Sequence, residues 1–325
     1  MNPTRARKSL VTIGIVTWNN EQDLPECLAR VAAQDYPELE IVAVDNASLD
    51  GSMPLLRKAV PQSQIIANGK NLGFGAAHNQ AIHSARGEFY LPLNPDVRLE
   101  PGFVGRLVEA LNGRAACGSA VGKILQATDE SPPVLDSAGL CIDRRRHQYL
   151  RGYGEQDRGQ YDRSEEVFGA DGAAPLHRTA MLEDVQILGE CFDDQYFLYM
   201  EDVDLAWRSR LLGWRCWYEP GALARHKRTF KPGNRRSMPV ELRRHAVTNR
   251  YLTILKNESR QCWRRDWWRI LLYDFMIWGY ILIREQSSLG AIPMLRKQWG
   301  RALAWRKEIR RRAKASPEEQ LSWFG

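Results

Sequence analysis

The chain has 325 residues, 44% hydrophobic and 26% charged, the proportions of a packed globular protein rather than a disordered or fibrous one. Its net charge of +7 conceals an asymmetry: residues 1–225 carry 23 Lys and Arg against 31 Asp and Glu (−8), and residues 226–325 carry 23 against 8 (+15). A basic tail on an acidic body points to an anionic partner for the tail, nucleic acid or membrane headgroups. Six scattered cysteines with no CxxC pair argue against a zinc knuckle or disulfide framework and fit a reducing cytosol.

The opening "MNPTRARKSL" is basic, and no long apolar stretch follows it, so a secretory signal is not expected. "LVTIGIVTW" (Leu10–Trp18) is β-branched and apolar and predicts a buried strand. Next, Leu24, Leu28 and Val31 have helical spacing, and Pro37 ends the pattern. "LEIVAVDNAS" predicts a second strand running into a polar turn, and "DGSMPLLRKAV" a short helix from Gly51-Ser52. "SQIIANGKNLGFGAAHNQAIHSARG" predicts a strand, a Gly-rich turn and a helix, and "EFYLPLNPD" a fourth strand. Strands alternating with helices imply an α/β fold, a mostly parallel sheet flanked by helices, whose ligands bind beyond the carboxyl ends of the strands. Trp18-Asn19, Asp45-Asn46, Asn71-Leu72-Gly73 and Asn94-Pro95-Asp96 all fall at those ends.

Between Gly113 and Gly172 the pattern weakens, and the charged "DRRRHQYLRGYGEQDRGQYDRSEE" predicts a mobile loop. "EDVDLAWRSRLLGW" predicts a helix from Glu201, and "WRCWYEP" a strand. From Met238 the chain reads as all-helical, which divides it into residues 1–237 and a helical, basic extension, 238–325. The apolar stretch Trp263–Arg284 is short for a spanning helix, which needs about 20 apolar residues. Asp274 near its middle would cost roughly 3 kcal/mol inside a bilayer. A helix lying on the membrane surface is expected instead, with Trp267, Trp268 and Trp278 at the interface and "WRKEIRRRAK" (Trp305–Lys314) near anionic headgroups. The other reading makes these core helices with a solvated basic face. No nucleic-acid-reading motif is present, so nucleic acid is not expected as a partner.

"TIGIVTWNN", "IVAVDNASLDGS", "NLGFGAAHNQAI", "LNPDVRLEPGF" and "FDDQYFLYMEDVDLAWRSRLLGW" occur in this order. Together they resemble the family 2 glycosyltransferases of the GT-A fold, and most the bacterial rhamnosyltransferase-like branch, over roughly Leu10 to Lys227. The resemblance implies an inverting transfer from a nucleotide diphosphate sugar, dTDP- or UDP-linked, assisted by Mg²⁺ or Mn²⁺. The acceptor would be a saccharide or a lipid-linked one, and the location the inner face of the cell membrane.

The diphosphate of such a donor needs charge neutralisation to leave, usually by a hard cation with oxygen ligands. By resemblance, Asn94-Pro95-Asp96 stands where many relatives carry Asp-x-Asp, so Asp96 is the expected metal ligand and Asn94, uncharged, a neighbour of the donor. A strand-ending turn would use the same residues. His226 is the second metal ligand the resemblance implies, although Lys227, Arg228 and Lys231 follow it and could hold the diphosphate directly. Asp45 can accept from a base N3–H or from ribose hydroxyls, with Thr17, Asn19 and Asn46 in the same pocket; an Asx-turn is the plainer account. Asn71 and Gly73 would approach the nucleotide, Asn79 would support the turn, and Asp171 would bind a sugar hydroxyl.

Inversion needs a base for the acceptor hydroxyl. The family position makes Asp202 that base, with Glu201 in reserve, although acidic residues suit a first helical turn without any function. A catalytically inactive nucleotide-sugar-binding partner subunit is the alternative.

Overall fold

The structure is a computed structural model, which describes residues 9–128, 130–228, 235 and 238–325. The chain runs β1 (Val11–Thr17), α1 (Leu24–Ala32), β2 (Leu39–Asp45), α2 (Ser52–Ala59), β3 (Ile65–Ala67), α3 (Phe74–Ser84) and β4 (Phe89–Leu93). There follow β5 (Val97–Leu99), α4 (Phe103–Asn112), β6 (Cys117–Gln126), β7 (Leu135–Ser137), β8 (Leu140–Ile142) and β9 (Gln148–Leu150). Then come β10 (Glu165–Val167), β11 (Leu176–Arg178), α5 (Thr179–Asp184), α6 (Glu201–Leu211) and β12 (Arg215–His226). The last elements are α7 (Val240–Asn257), α8 (Arg260–Arg284), α9 (Ala291–Arg312) and α10 (Pro317–Ser322).

β1 and β4 are buried along nearly their whole length, as strands covered by helices on both faces must be. The order β3-β2-β1-β4 is the expected parallel array. Beyond β4 the sheet becomes mixed: β11 is antiparallel to both β4 and β6, and β12 is parallel to β6. β5 leaves the main path and pairs with β12, setting Val97 opposite His226. That pairing brings Asp96 to His226, and the in-register pair Thr17–Asp45 ends β1 and β2 at the same edge.

The charged stretch after Asp143 departs from the mobile loop expected of it. It holds β9, which pairs with β8 just before it, and the start of β10. The Arg146 side chain is fully buried, with bonds to Glu258 (2.6 Å) and Asp266 (3.0 Å). These acids lie more than a hundred residues away, so local charge pattern gives no sign of them.

The C-terminal helices share a core with α6: Trp207, Leu252, Trp305 and Phe324 belong to one buried cluster. The basic run of α9 was expected near headgroups, but much of it turns inward. Arg306 donates to the Leu255 carbonyl (2.5 Å), Arg310 to that of Glu258 and Arg312 to that of Gln186 (2.8 Å), so two of these arginines satisfy carbonyls at the end of α7. In α8, Trp267 and Trp268 are exposed, whereas Trp278 stacks on Tyr251. Asp274 faces inward and pairs with Arg250 at 2.9 Å. No helix among the described residues is long and apolar enough to cross a membrane. The expected boundary after residue 237 and Lys231 fall outside the described residues.

Candidate functional site

At the ends of β1 and β2 two turns are laced together. Asn19, at φ 56°, accepts from the Leu49 amide (2.8 Å) and donates its own amide to Ser48 (3.0 Å). Thr17 donates to Asn20. Asp45 is buried; its Oδ2 accepts from the Ser48 amide (3.1 Å), as an Asx-turn would. Its Oδ1 is buried with no partner among the described residues, an acceptor still open to a ligand donor. Asn46 ties this edge to the Gly-rich turn by donating to the Gly73 carbonyl (3.2 Å). The Asn71 side chain accepts from the Gly73 amide (2.8 Å). Gly73 has φ 86°, and a Cβ there would run into the Phe197 carbonyl, so only glycine fits. Asn79 holds the Cys191–Phe192 loop rather than the Gly-rich turn.

At the tip of β4, the Asn94 amide donates to the Ala173 carbonyl (3.1 Å). Asp96 Oδ1 and His226 Nε2 lie 3.2 Å apart. His226 Nδ1 lies 2.9 Å from Asp136 Oδ2, and Arg228 bonds both oxygens of Asp136. Burial alone would lower the His226 pKa, but hydrogen bonds to Asp136 and Asp96 outweigh it and push it up to about 9. The pairing of Nδ1 with Asp136 fixes which ring nitrogen faces Asp96. One carboxylate oxygen and one imidazole nitrogen about 3 Å apart can bind a single cation side by side, at bond lengths of about 2.1 Å. The donor set therefore fits Mn²⁺ or Mg²⁺, with nitrogen favouring Mn²⁺.

The head of α6 forms the third group. Asp202 accepts from the Gly172 amide through Oδ2 (3.1 Å) and from the Val203 amide through Oδ1 (2.8 Å). Asp171, buried, accepts from Ser137 and from the Ala173 amide (3.1 Å), so it braces the loop that holds Asp202. Burial, then the neighbouring Asp202 charge, pushes Glu201 up to about 8; burial chiefly, with Asp171 adding to it, pushes Asp202 up to about 6. The two cannot both ionise cheaply, so the pair holds on to a proton to higher pH than a lone carboxylate would. Phe197, Tyr199 and Met200 all have positive φ just before α6, an arrangement that non-glycine residues adopt only when their surroundings impose it. Asn249 of α7 supplies the constraint, its Nδ2 lying 2.8–3.1 Å from the carbonyl oxygens of Tyr196, Leu198 and Tyr199.

A cleft of about 1220 Å³ opens over Glu201 and Asp202. Tyr149 and Tyr153 line it together with Tyr273, Met276 and Tyr280 of α8, and Arg228 links it to Asp136 and so to His226. Asp136 and Asn249 have no counterpart in the sequence reading; a lone Asp in "VLDSAG" and a lone Asn in a helix carry no pattern. Three other carboxylates, Glu190, Asp193 and Asp194, also lie close enough to share an ion. Arg301 bonds all three, and Lys256 bonds Asp193 as well, so that cluster is already neutralised.

Residues 12–181 match the family described as Glycosyl transferase family 2. The N-acetylglucosaminyl-diphospho-decaprenol L-rhamnosyltransferase of Mycobacterium tuberculosis is 27% identical over 277 residues, 78% of this chain and 85% of that protein. The mannosyltransferase PcManGT of Pyrobaculum calidifontis, solved with GDP-Man and Mn²⁺, superposes with a TM-score of 0.54 at 19% identity, over 94% of this chain and 83% of that one. S. aureus TarS 1–349 with UDP-GlcNAc gives 0.57 at 17% identity, over 94% and 84%. GalNAc-T7, solved with UDP, GalNAc and Mn²⁺, gives 0.58 at 13% identity, over 76% of this chain and only 48% of that one.

Proposed function

The chain belongs to glycosyl transferase family 2, and on that premise we propose that it transfers a sugar, rhamnose, from a dTDP- or UDP-linked donor to a hydroxyl of a lipid-linked saccharide, with inversion. The observation that carries this reading is Asp202, a carboxylate oriented by two backbone amides, raised in pKa by burial and opening on a cleft. A base with a pKa just below neutral is mostly ionised yet still able to take a proton. Support for the sugar and the lipid comes from the mycobacterial relative, whose name carries both.

In this mechanism Asp202 takes the proton of the acceptor hydroxyl. The freed oxygen bonds the anomeric carbon from the face opposite the diphosphate. The bond from that carbon to the diphosphate breaks, and its electron pair leaves with the nucleoside diphosphate. Glu201, beside the base, has its own proton affinity raised by burial and by the charge of Asp202. Asp45, Thr17 and Asn19 hold base and ribose, while Asn46, Asn71 and Gly73 shape the turn that meets the nucleotide. Asn94 and Asp171 border the donor sugar. Asp96 and His226 would hold the divalent cation, Mn²⁺ or Mg²⁺, which supplies charge neutralisation at the leaving diphosphate. Arg228, beside His226 and lining the cleft, adds a fixed positive charge. Residues 1–237 act as the transferase unit and 238–325 as the extension that completes its cleft. The reading includes a peripheral position at the cytoplasmic face of the cell membrane, where such an acceptor is available; the six free cysteines suit that compartment.

Calorimetric titration with UDP and dTDP, with and without Mn²⁺, tests the reading. Micromolar, metal-dependent binding of one of them is the expected result. Binding of neither, with or without metal, would sink it.

A further inference from the structure

The outer face of α8 is sorted by chemistry. Ten of its fourteen exposed side chains are apolar or aromatic, with Leu272, Phe275, Met276 and Ile283 each more than half exposed. The other four are Arg260, Gln261, Arg264 and Arg284, and none is acidic. Both acids of the helix face inward, Asp266 to Arg144 and Arg146 and Asp274 to Arg250. An apolar strip about 25 Å long, from Trp267 to Ile283 at 1.5 Å per residue, thus runs between arginines at either end. Met276 and Tyr280 belong both to this strip and to the lining of the cleft over Glu201 and Asp202. The cleft therefore opens onto the strip.

An exposed apolar face of this kind marks an interaction surface. A second copy of the chain fits it poorly: a two-fold contact between antiparallel α8 helices would set arginines against arginines with no acid on the helix to answer them. An anionic bilayer fits it well, since its interface takes the apolar and tryptophan side chains and its headgroups take the arginines. We propose that α8 docks the protein on an anionic lipid bilayer along this face, which sets the mouth of the cleft at the headgroup layer. Its consequence for the substrate rests on the proposed function: a lipid-linked acceptor enters past Met276 and Tyr280 while its lipid stays in the membrane.

The test is sedimentation of the full chain with phosphatidylglycerol–phosphatidylcholine vesicles and with phosphatidylcholine vesicles alone. The wild type should bind the mixed vesicles, and bind the neutral ones about tenfold less or weaker still. The double substitution Leu272→Glu with Phe275→Glu, at exposed positions, should lower binding to mixed vesicles about tenfold or more while nucleotide binding stays unchanged. Absence of wild-type binding, or equal binding by the double variant, overturns the proposal. So does a solution dimer that the double substitution dissociates, which would give the face to a second copy. Vesicle binding without nucleotide binding would leave the docking intact and remove the proposed function instead.

Discussion

The side-chain nitrogen of Asn249 stands 2.8 Å from the carbonyl oxygen of Tyr199, and this contact ties the C-terminal extension to the turn that presents Glu201 and Asp202. The same nitrogen reaches the carbonyls of Tyr196 and Leu198. Asn249→Asp keeps the shape and removes the donor, leaving a carboxylate against three buried carbonyl oxygens. Unmet buried polar groups cost about 1–3 kcal/mol each. Thermal unfolding should move down by several degrees, and transfer should slow more than donor affinity weakens. Unchanged melting and turnover would show that the turn holds without the clamp.

Asp202→Asn removes the proposed base and keeps most of the local packing. Positioned bases contribute about 10²–10⁴-fold, so transfer should fall by that factor while the nucleotide dissociation constant stays within about twofold of wild type. In the wild type the base must be ionised, and its pKa is raised to about 6. Turnover should therefore fall as pH drops through about 6 and level off above it. A profile flat down to pH 5 would remove Asp202 from the role.

Asp136 is not among the expected ligands, yet it holds His226 by Nδ1 and Arg228 by both of its oxygens. Partners of this kind typically contribute 10–100-fold to metal affinity. Asp136→Asn should weaken Mn²⁺ binding by about that factor, measured by titration of the metal itself. Asp96→Ala should abolish metal-dependent donor binding. Donor affinity that still responds to Mn²⁺ in the Asp96 variant would rule out the Asp96–His226 pair as the metal site.

Lys256 is fully buried between Asp193 (2.9 Å) and Asp204 (3.1 Å) and lies over the rings of Tyr196 and Trp305. Removing one partner of a buried ion pair costs about 3–5 kcal/mol, because the other charge is left uncompensated. Lys256→Met should lower the melting temperature by on the order of 10 °C. A loss of one or two degrees would mean that the acids find other partners.

Strand and helix periodicity made the parallel array β3-β2-β1-β4 legible, because buried strands and amphipathic helices announce themselves within a few neighbouring residues. The polar clusters at strand ends could be placed at one edge on the same ground, and the ordered motifs supplied the family. Nothing local could announce that β5 leaves the sheet path to pair with β12, which brings Asp96 to His226. The charged stretch around Arg146 reads as a mobile loop because its partners, Glu258 and Asp266, are supplied by another part of the chain. Part of the basic run of α9 turns inward on the same ground, since Arg306 and Arg310 find carbonyls that only folding brings near. The sequence by itself determined the strands and helices of the β3-β2-β1-β4 array and the chemistry at their ends. Tertiary structure alone decided which charges are paired and which face of α8 remains open, because pairing depends on distance in space and charge pattern records only distance along the chain.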